Sequence, residues 1–364
     1  MKRRKKLFYL VALSIFSITI IVLTLIYPKI AIKAASDAIS VWLNIILPTL
    51  FPFSMVCLIL INSGILIQIT QKFNNITKKI TGFDGCFLFV FICSCLSGYP
   101  MGARLIGSLR YNHAIDDTQA GFMLNCASTT GPSFLINSIA IGILKDTTLI
   151  SALLISHYLS AFIITFYNSR LNKLLNTKDV IKKNEPIQNK SIGSILNDSI
   201  TSSINGMLSI LGFMTLFTVA AKLIQSLSII KAAVPAYSNE IETIFSGILE
   251  LTTGCIESCS LDSKASVIFI CFFCGFGGAS IISQSIALAG INRSFILSKL
   301  SQGCLNALIA MLFVGTDVFC AIFMAGTLTI CIIVAEISLR KKYHFSLLLL
   351  RRLMFSFKSS KLSL

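Results

Sequence analysis

The feature that most constrains this chain is a set of apolar runs long enough to cross a lipid bilayer, some of them interrupted by glycine and proline. A hydrocarbon core of about 30 Å needs about 20 apolar residues in a helix. The runs 7–26, 38–66, 147–168, 195–230, 295–314 and 318–339 reach that length. Composition agrees. Of 364 residues, 55% are hydrophobic and 13% charged, with a mean hydropathy of +0.83, whereas soluble domains carry about a quarter charged residues. The expected fold class is all-α, a polytopic transmembrane helical bundle.

The formal charge of +16 would suit nucleic acid on a soluble module. Its location argues otherwise: basic residues crowd 2–6, the polar stretch 169–193 and the tail beyond 340. That is the positive-inside distribution of a membrane protein, so the lipid bilayer is a partner and nucleic acid is not. The first apolar run is too long for the core of a cleaved signal peptide and reads as an uncleaved first helix. The 12 cysteines form no paired ligand sets at zinc spacing. Most lie within apolar runs, where cysteine behaves as a small hydrophobe; no metal and no cofactor is expected. His113, His157 and His344 are scattered, and no hydrolase, metalloprotease or nucleotide-binding motif is present, so the chain does not read as an enzyme.

Backbone in lipid must have its hydrogen bonds made, so a broken helix survives only inside protein or along a wet cavity. "CSCLSGYPMGARLIGSLR", residues 93–110, places Gly98, Pro100 and Gly102 within five residues, followed by Arg104. "NCASTTGP", residues 125–132, offers Asn125, Ser128, Thr129 and Thr130 before a glycine-proline stop. "GFGGASIISQ", residues 275–284, brings Gly277 and Gly278 before Ser280, Ser283 and Gln284. Freed backbone groups and half-helix ends suit a ligand in the bilayer midplane, and a guanidinium suits a carboxylate. The candidate substrate-binding residues are therefore Ser97, Gly98, Tyr99, Pro100, Gly102, Arg104, Asn125, Ser128, Thr129, Thr130, Gly277, Gly278, Ser280, Ser283 and Gln284. Glu250 with Thr252 and Thr253 is a further polar patch.

The segments 86–109 and 265–290 answer each other as paired interrupted stretches, pointing to two repeat halves, each with a broken or re-entrant gate segment. Gly98–Gly102 and Gly275–Gly278 are expected to be non-helical. The organisation reads as a basic start and first helix at 1–37, a first gate half at 38–168, a cytoplasmic basic linker at 169–194, a second gate half at 195–339 and a basic tail at 340–364. Positive-inside topology works if 86–109 enters and leaves on one side; it leaves open whether 265–290 spans.

"SGYPMGARLI", "NCASTTGPSFLI", "SHYLSAFI", "GILELTTG" and "GFGGASIISQ", in this order, resemble the sporulation integral membrane proteins of the YlbJ type, in the nucleoside-recognition or gate-domain group. The resemblance covers roughly residues 38 to 335. It implies a role in endospore formation, in the cell membrane or a forespore membrane, with passage of dipicolinic acid as the chemistry. The expected function is transport of a small organic anion. A nucleoside or neutral-solute carrier, or a non-transporting sporulation scaffold, is the alternative, and assembly into a homo-oligomer stays open.

Overall fold

The computed structural model describes residues 2–65, 68, 72–81, 85–111, 115–174, 191–227, 235–290 and 293–314. Among them the chain is helical, with no strands. Five helices are long and apolar enough to cross a membrane. The last apolar run, most of the basic linker and the tail lie outside the described residues.

The first two helices, Lys2–Ile26 and Pro28–Val41, meet at Tyr27, so 28–37 belongs to the second span rather than to a connector. Pro28 takes the first helical position, where its missing N–H costs nothing. That span runs through a wide turn at Trp42–Ile46 to Leu60. Pro48 and Pro52 do not interrupt it. Thr49 Oγ1 binds the Ile45 carbonyl at 2.7 Å, occupying a backbone acceptor beside Pro48.

Two segments fold back on themselves. In the first, Gly85–Ser97 and Met101–Tyr111 join at Gly98-Tyr99-Pro100. A Cβ on Gly102 would lie 2.8 Å from Ser94 Oγ, although eight residues of straight helix span about 12 Å. The chain has therefore turned back, as the positive-inside argument required of 86–109. In the second, Ser238–Leu249 and Leu251–Ser258 join at Glu250. A Cβ on Gly254 would collide with the Gly247 backbone, where seven residues of straight helix span about 10 Å. Both are helical hairpins with their tips inside the protein.

Two further segments are broken but run on. Asp117–Cys126 begins on a capping box, Asp116 accepting from Thr118 and Gln119 N–H while the Gln119 side chain accepts from Asp116 N–H. It unwinds across 127–131, and a wide helix, Phe134–Leu144, carries the chain onward. Ser263–Phe276 and Gly278–Ala289 are separated by Gly277 alone and together are long enough to span. So 265–290 is a crossing. The breaks are narrower than the sequence suggested: Gly102, Gly275 and Gly278 are helical, and only 98–100 and Gly277 are not. At Gly277 a left-handed residue (φ 86°) both ends one helix and starts the next.

Side-chain contacts order the two membrane faces. Asn62 bonds Ser199, Arg110 pairs with Asp117 at 2.6 Å and approaches the Ala289 carbonyl, and Asn125 bonds Asn168 and Ser294. These mark the face where the first hairpin opens. On the other, Lys222 pairs with Glu257, Cys259 approaches the Ile143 carbonyl, and Leu23 packs on Leu223. There the second hairpin opens. The two hairpins thus enter from opposite faces, and the two broken spans run in opposite directions. The segments that sequence had likened, 86–109 and 265–290, are unlike: one is a hairpin and the other a crossing. The second broken span is central, with 78% of its most apolar stretch buried, against 28% for the span Pro28–Leu60.

Candidate functional site

The two hairpin tips and the two span breaks meet. A Cβ on Gly98 would come within 2.5 Å of Gly131 N, and one on Gly278 within 3.2 Å of Gly247 O and 3.3 Å of Leu249 O. Each tip therefore packs on the break of the following span. Thr130 Oγ1 donates to the Cys274 carbonyl at 2.9 Å and ties the two breaks together. Unwinding leaves carbonyls without helical partners, and Ser94 Oγ supplies the one at Ala127, while Thr129 Oγ1 ties the unwound stretch to the first hairpin through the Ser94 carbonyl.

Between these ends lies a cavity of about 550 Å³ of atom-free space, mouth included. Ser97, Gly98 and Tyr99 come from the first tip, Thr130 and Gly131 from the first break, Glu250, Leu251 and Thr252 from the second tip, and Ser280, Ile281 and Gln284 from the second broken span. Ile46, Leu50, Phe134, Ile210 and Met214 complete an apolar wall. A second space of about 330 Å³ adjoins it through Leu50, Ser97 and Tyr99, and Pro100 and Arg104 line that one.

Six of the residues expected from sequence thus face the main cavity: Ser97, Gly98, Tyr99, Thr130, Ser280 and Gln284. Arg104 lies in the neighbouring space, its Nη1 donating to the Ser202 carbonyl at 2.7 Å. Pro100 lines that space as well, and the remaining seven line neither. Gly102 packs on the Ala127 carbonyl, and Asn125 is held by Asn168 and Ser294. Ser128 offers its carbonyl to Lys299, Thr129 bonds Ser94, and Gly277 faces the Tyr99 ring. Gly278 packs on the second tip, and Ser283 is half-buried beyond the lining.

Three polar groups at the site escaped the sequence argument as ligand-site residues. Glu250, 3% exposed, is the N-cap of Leu251–Ser258 and accepts from Thr253 N at 2.7 Å and Thr253 Oγ1 at 2.9 Å. Lys299 is fully buried in Arg293–Val314. It donates to Tyr99 OH, to the Ser128 carbonyl at 2.8 Å and to Gln302 Oε1 at 2.7 Å, so its three N–H groups are all engaged. It also lies 4.8 Å from the centre of the Tyr99 ring. Among the described residues no carboxylate pairs with it. His157, also fully buried, accepts from Thr130 N–H at Nε2, 3.0 Å away, which fixes the first break against Ile150–Leu174. A lysine at position 299 in an otherwise apolar run was the available signal; its partners come from other segments and were not.

These features define an integral membrane protein whose broken helices enclose a cavity with an apolar wall and polar residues at the helix ends. The chain is 23% identical over 318 residues, covering 79% of itself and 78% of the relative, to the sporulation integral membrane protein YlbJ of Bacillus subtilis (strain 168). That similarity supports a YlbJ-type assignment. No family model matches the chain. No solved structure matches it.

Proposed function

We propose that the chain is a carrier, not an enzyme, that moves a small organic anion, dipicolinic acid, across a membrane of the developing spore. The observation that carries this reading is the convergence of two hairpin tips and two span breaks on one cavity within the membrane part. Hairpins from opposite faces and spans of opposite direction are what inverted repeat halves produce, and alternating access works by moving one such unit against the other. The hairpins are the gates in this reading.

Two basic side chains flank the first tip, the half-buried Arg104 and the buried Lys299. A buried charge in a membrane is costly and marks substrate or ion pathways. Together they give the tip region a positive field suited to carboxylates. A neutral-solute carrier, such as one for nucleosides, is the second reading. What favours it is that Glu250, Thr252 and Gln284 face the main cavity while Arg104 lies beside it. Uptake of radiolabelled dipicolinate and of a nucleoside by vesicles holding the purified protein decides between them. Accumulation of dipicolinate alone is the expected result; nucleoside uptake alone supports the second reading, and uptake of neither leaves a sporulation scaffold.

A further inference from the structure

We propose that Glu250 is the site of a coupling monovalent cation, a proton or an alkali ion, which shares the cavity with the transported anion. The inference rests on the carrier reading above. The carboxylate sits at the tip of the second hairpin and lines the cavity. Its partners there are neutral donors, Thr253 N–H and Thr253 Oγ1. Among the described residues no lysine, arginine or histidine pairs with it. An unpaired carboxylate at this place would repel an anionic substrate, and a bound cation removes that repulsion.

Further oxygen atoms suited to a hard cation lie on the same hairpin and on its neighbours. Thr253 Oγ1 is 2.8 Å from Thr218 Oγ1. The carbonyls of Gly247 and Leu249, at the end of the hairpin's first leg, face Gly278 rather than continuing a helix. Ser97, 5% exposed, lines the same cavity from the opposite tip. The titratable groups facing this tip are Cys255 on its own leg, Cys274 on the second broken span and Tyr99 across the cavity. None of these three supplies a positive charge, and Lys299, beyond Tyr99, bonds Tyr99, Ser128 and Gln302 rather than Glu250. With both tips contributing oxygens, occupancy by a cation would draw the hairpins together only when the counter-charge is present.

The competing account is that Glu250 merely caps a helix. Asparagine caps as well as aspartate but carries no charge, so Glu250→Asp and Glu250→Asn separate the two. Liposomes holding the full chain are given radiolabelled dipicolinate under a sodium gradient, a proton gradient or neither. One gradient should raise parental uptake at least tenfold, and that gradient identifies the ion. Glu250→Asp should keep most of the stimulation, and Glu250→Asn should lose it while melting like the parent. If Glu250→Asn does not fold, Glu250→Gln takes its place. Equal parental uptake in all three conditions, or full stimulation in the asparagine variant, overturns the proposal and leaves the carrier reading intact. If no condition gives uptake, the carrier reading fails, and the site is judged on the purified protein alone. A melting temperature that rises with sodium over choline, or shifts with pH, in the parent but not in Glu250→Asn, upholds it; identical behaviour of the two sinks it.

Discussion

Arg104 stands one turn past the Tyr99-Pro100 break and spends one arm on a backbone carbonyl, that of Ser202. A guanidinium has five donors in a fixed fork, so its other face is available to the space it lines. Arg104→Lys keeps the charge without the fork and should lower dipicolinate uptake in part. Arg104→Ala should lower apparent affinity about 10- to 150-fold, since a charged hydrogen bond contributes roughly 1.5–3 kcal/mol, with membrane abundance unchanged. Near-parental uptake by the alanine variant would remove Arg104 from the site. Gly98 is a sharper steric case. Its φ is 76°, and a Cβ there would press on Gly131 N. Gly98→Ala should cost about 1–3 kcal/mol from backbone conformation alone, read as lower thermal stability in detergent. Gly212→Ala, with open space around it, is the matched control and should be neutral or stabilising, because alanine favours helix over glycine by about 1 kcal/mol.

At the scale of elements, the second hairpin is fastened to the long helix Ile192–Ser226 at its open end. Lys222 pairs with Glu257, and Gln225 Nε2 reaches the Glu242 carbonyl, Ser246 Oγ and Glu257 Oε2 at 3.1, 2.7 and 3.3 Å. The first hairpin lacks an ion pair to that helix among the described residues and is instead tied through Arg104. Lys222→Glu should loosen the second hairpin and raise hydrogen exchange over 238–258. The partly exposed pair contributes about 1 kcal/mol or less, so the effect should be local rather than global unfolding. Adding Glu257→Lys should restore protection; unchanged exchange in the single variant would show that packing alone seats the hairpin.

For the whole molecule, the contacts assign Asn62, Asp117 and Ser169 to one face and Tyr27, Asp146 and Cys259 to the other. Lys72, Lys78 and Lys79 follow Asn62, and the helix Ile150–Leu174 ends on the same side with Arg170 and Lys173 in its last turns, while the opposite face carries Asp146, Glu240, Glu257 and Asp262. The positive-inside bias therefore makes the first face cytoplasmic. Cys259 is exposed on the far face and gives a built-in reference. Lys182→Cys should be modified by a membrane-impermeant thiol reagent only from the side opposite to that which reaches Cys259. Modification of both from one side would refute the topology.

Much of this was written in local sequence. Apolar run length determined that the chain is a membrane helix bundle, because a bilayer demands about 20 apolar residues per crossing. Glycine and proline marked where helices can break, since φ above zero and a missing N–H both weaken a regular helix, although Pro48 and Pro52 lie within one. Only the tertiary structure decided what each break does. Gly98-Tyr99-Pro100 reverses the chain and Gly277 merely bends it, because reversal depends on what the two legs pack against. The ionisable centre was legible only in part. Glu250 stands out in sequence as an acid in a polar patch with Thr252 and Thr253, whereas Lys299 reads as one more cation near a helix start. Contacts between residues as distant as Tyr99 and Lys299 placed the lysine behind the first tip, and packing of the second hairpin placed Glu250 at the cavity. Periodicity along one helix carries no information about which far segment will face it, and that is why the site emerged only in three dimensions.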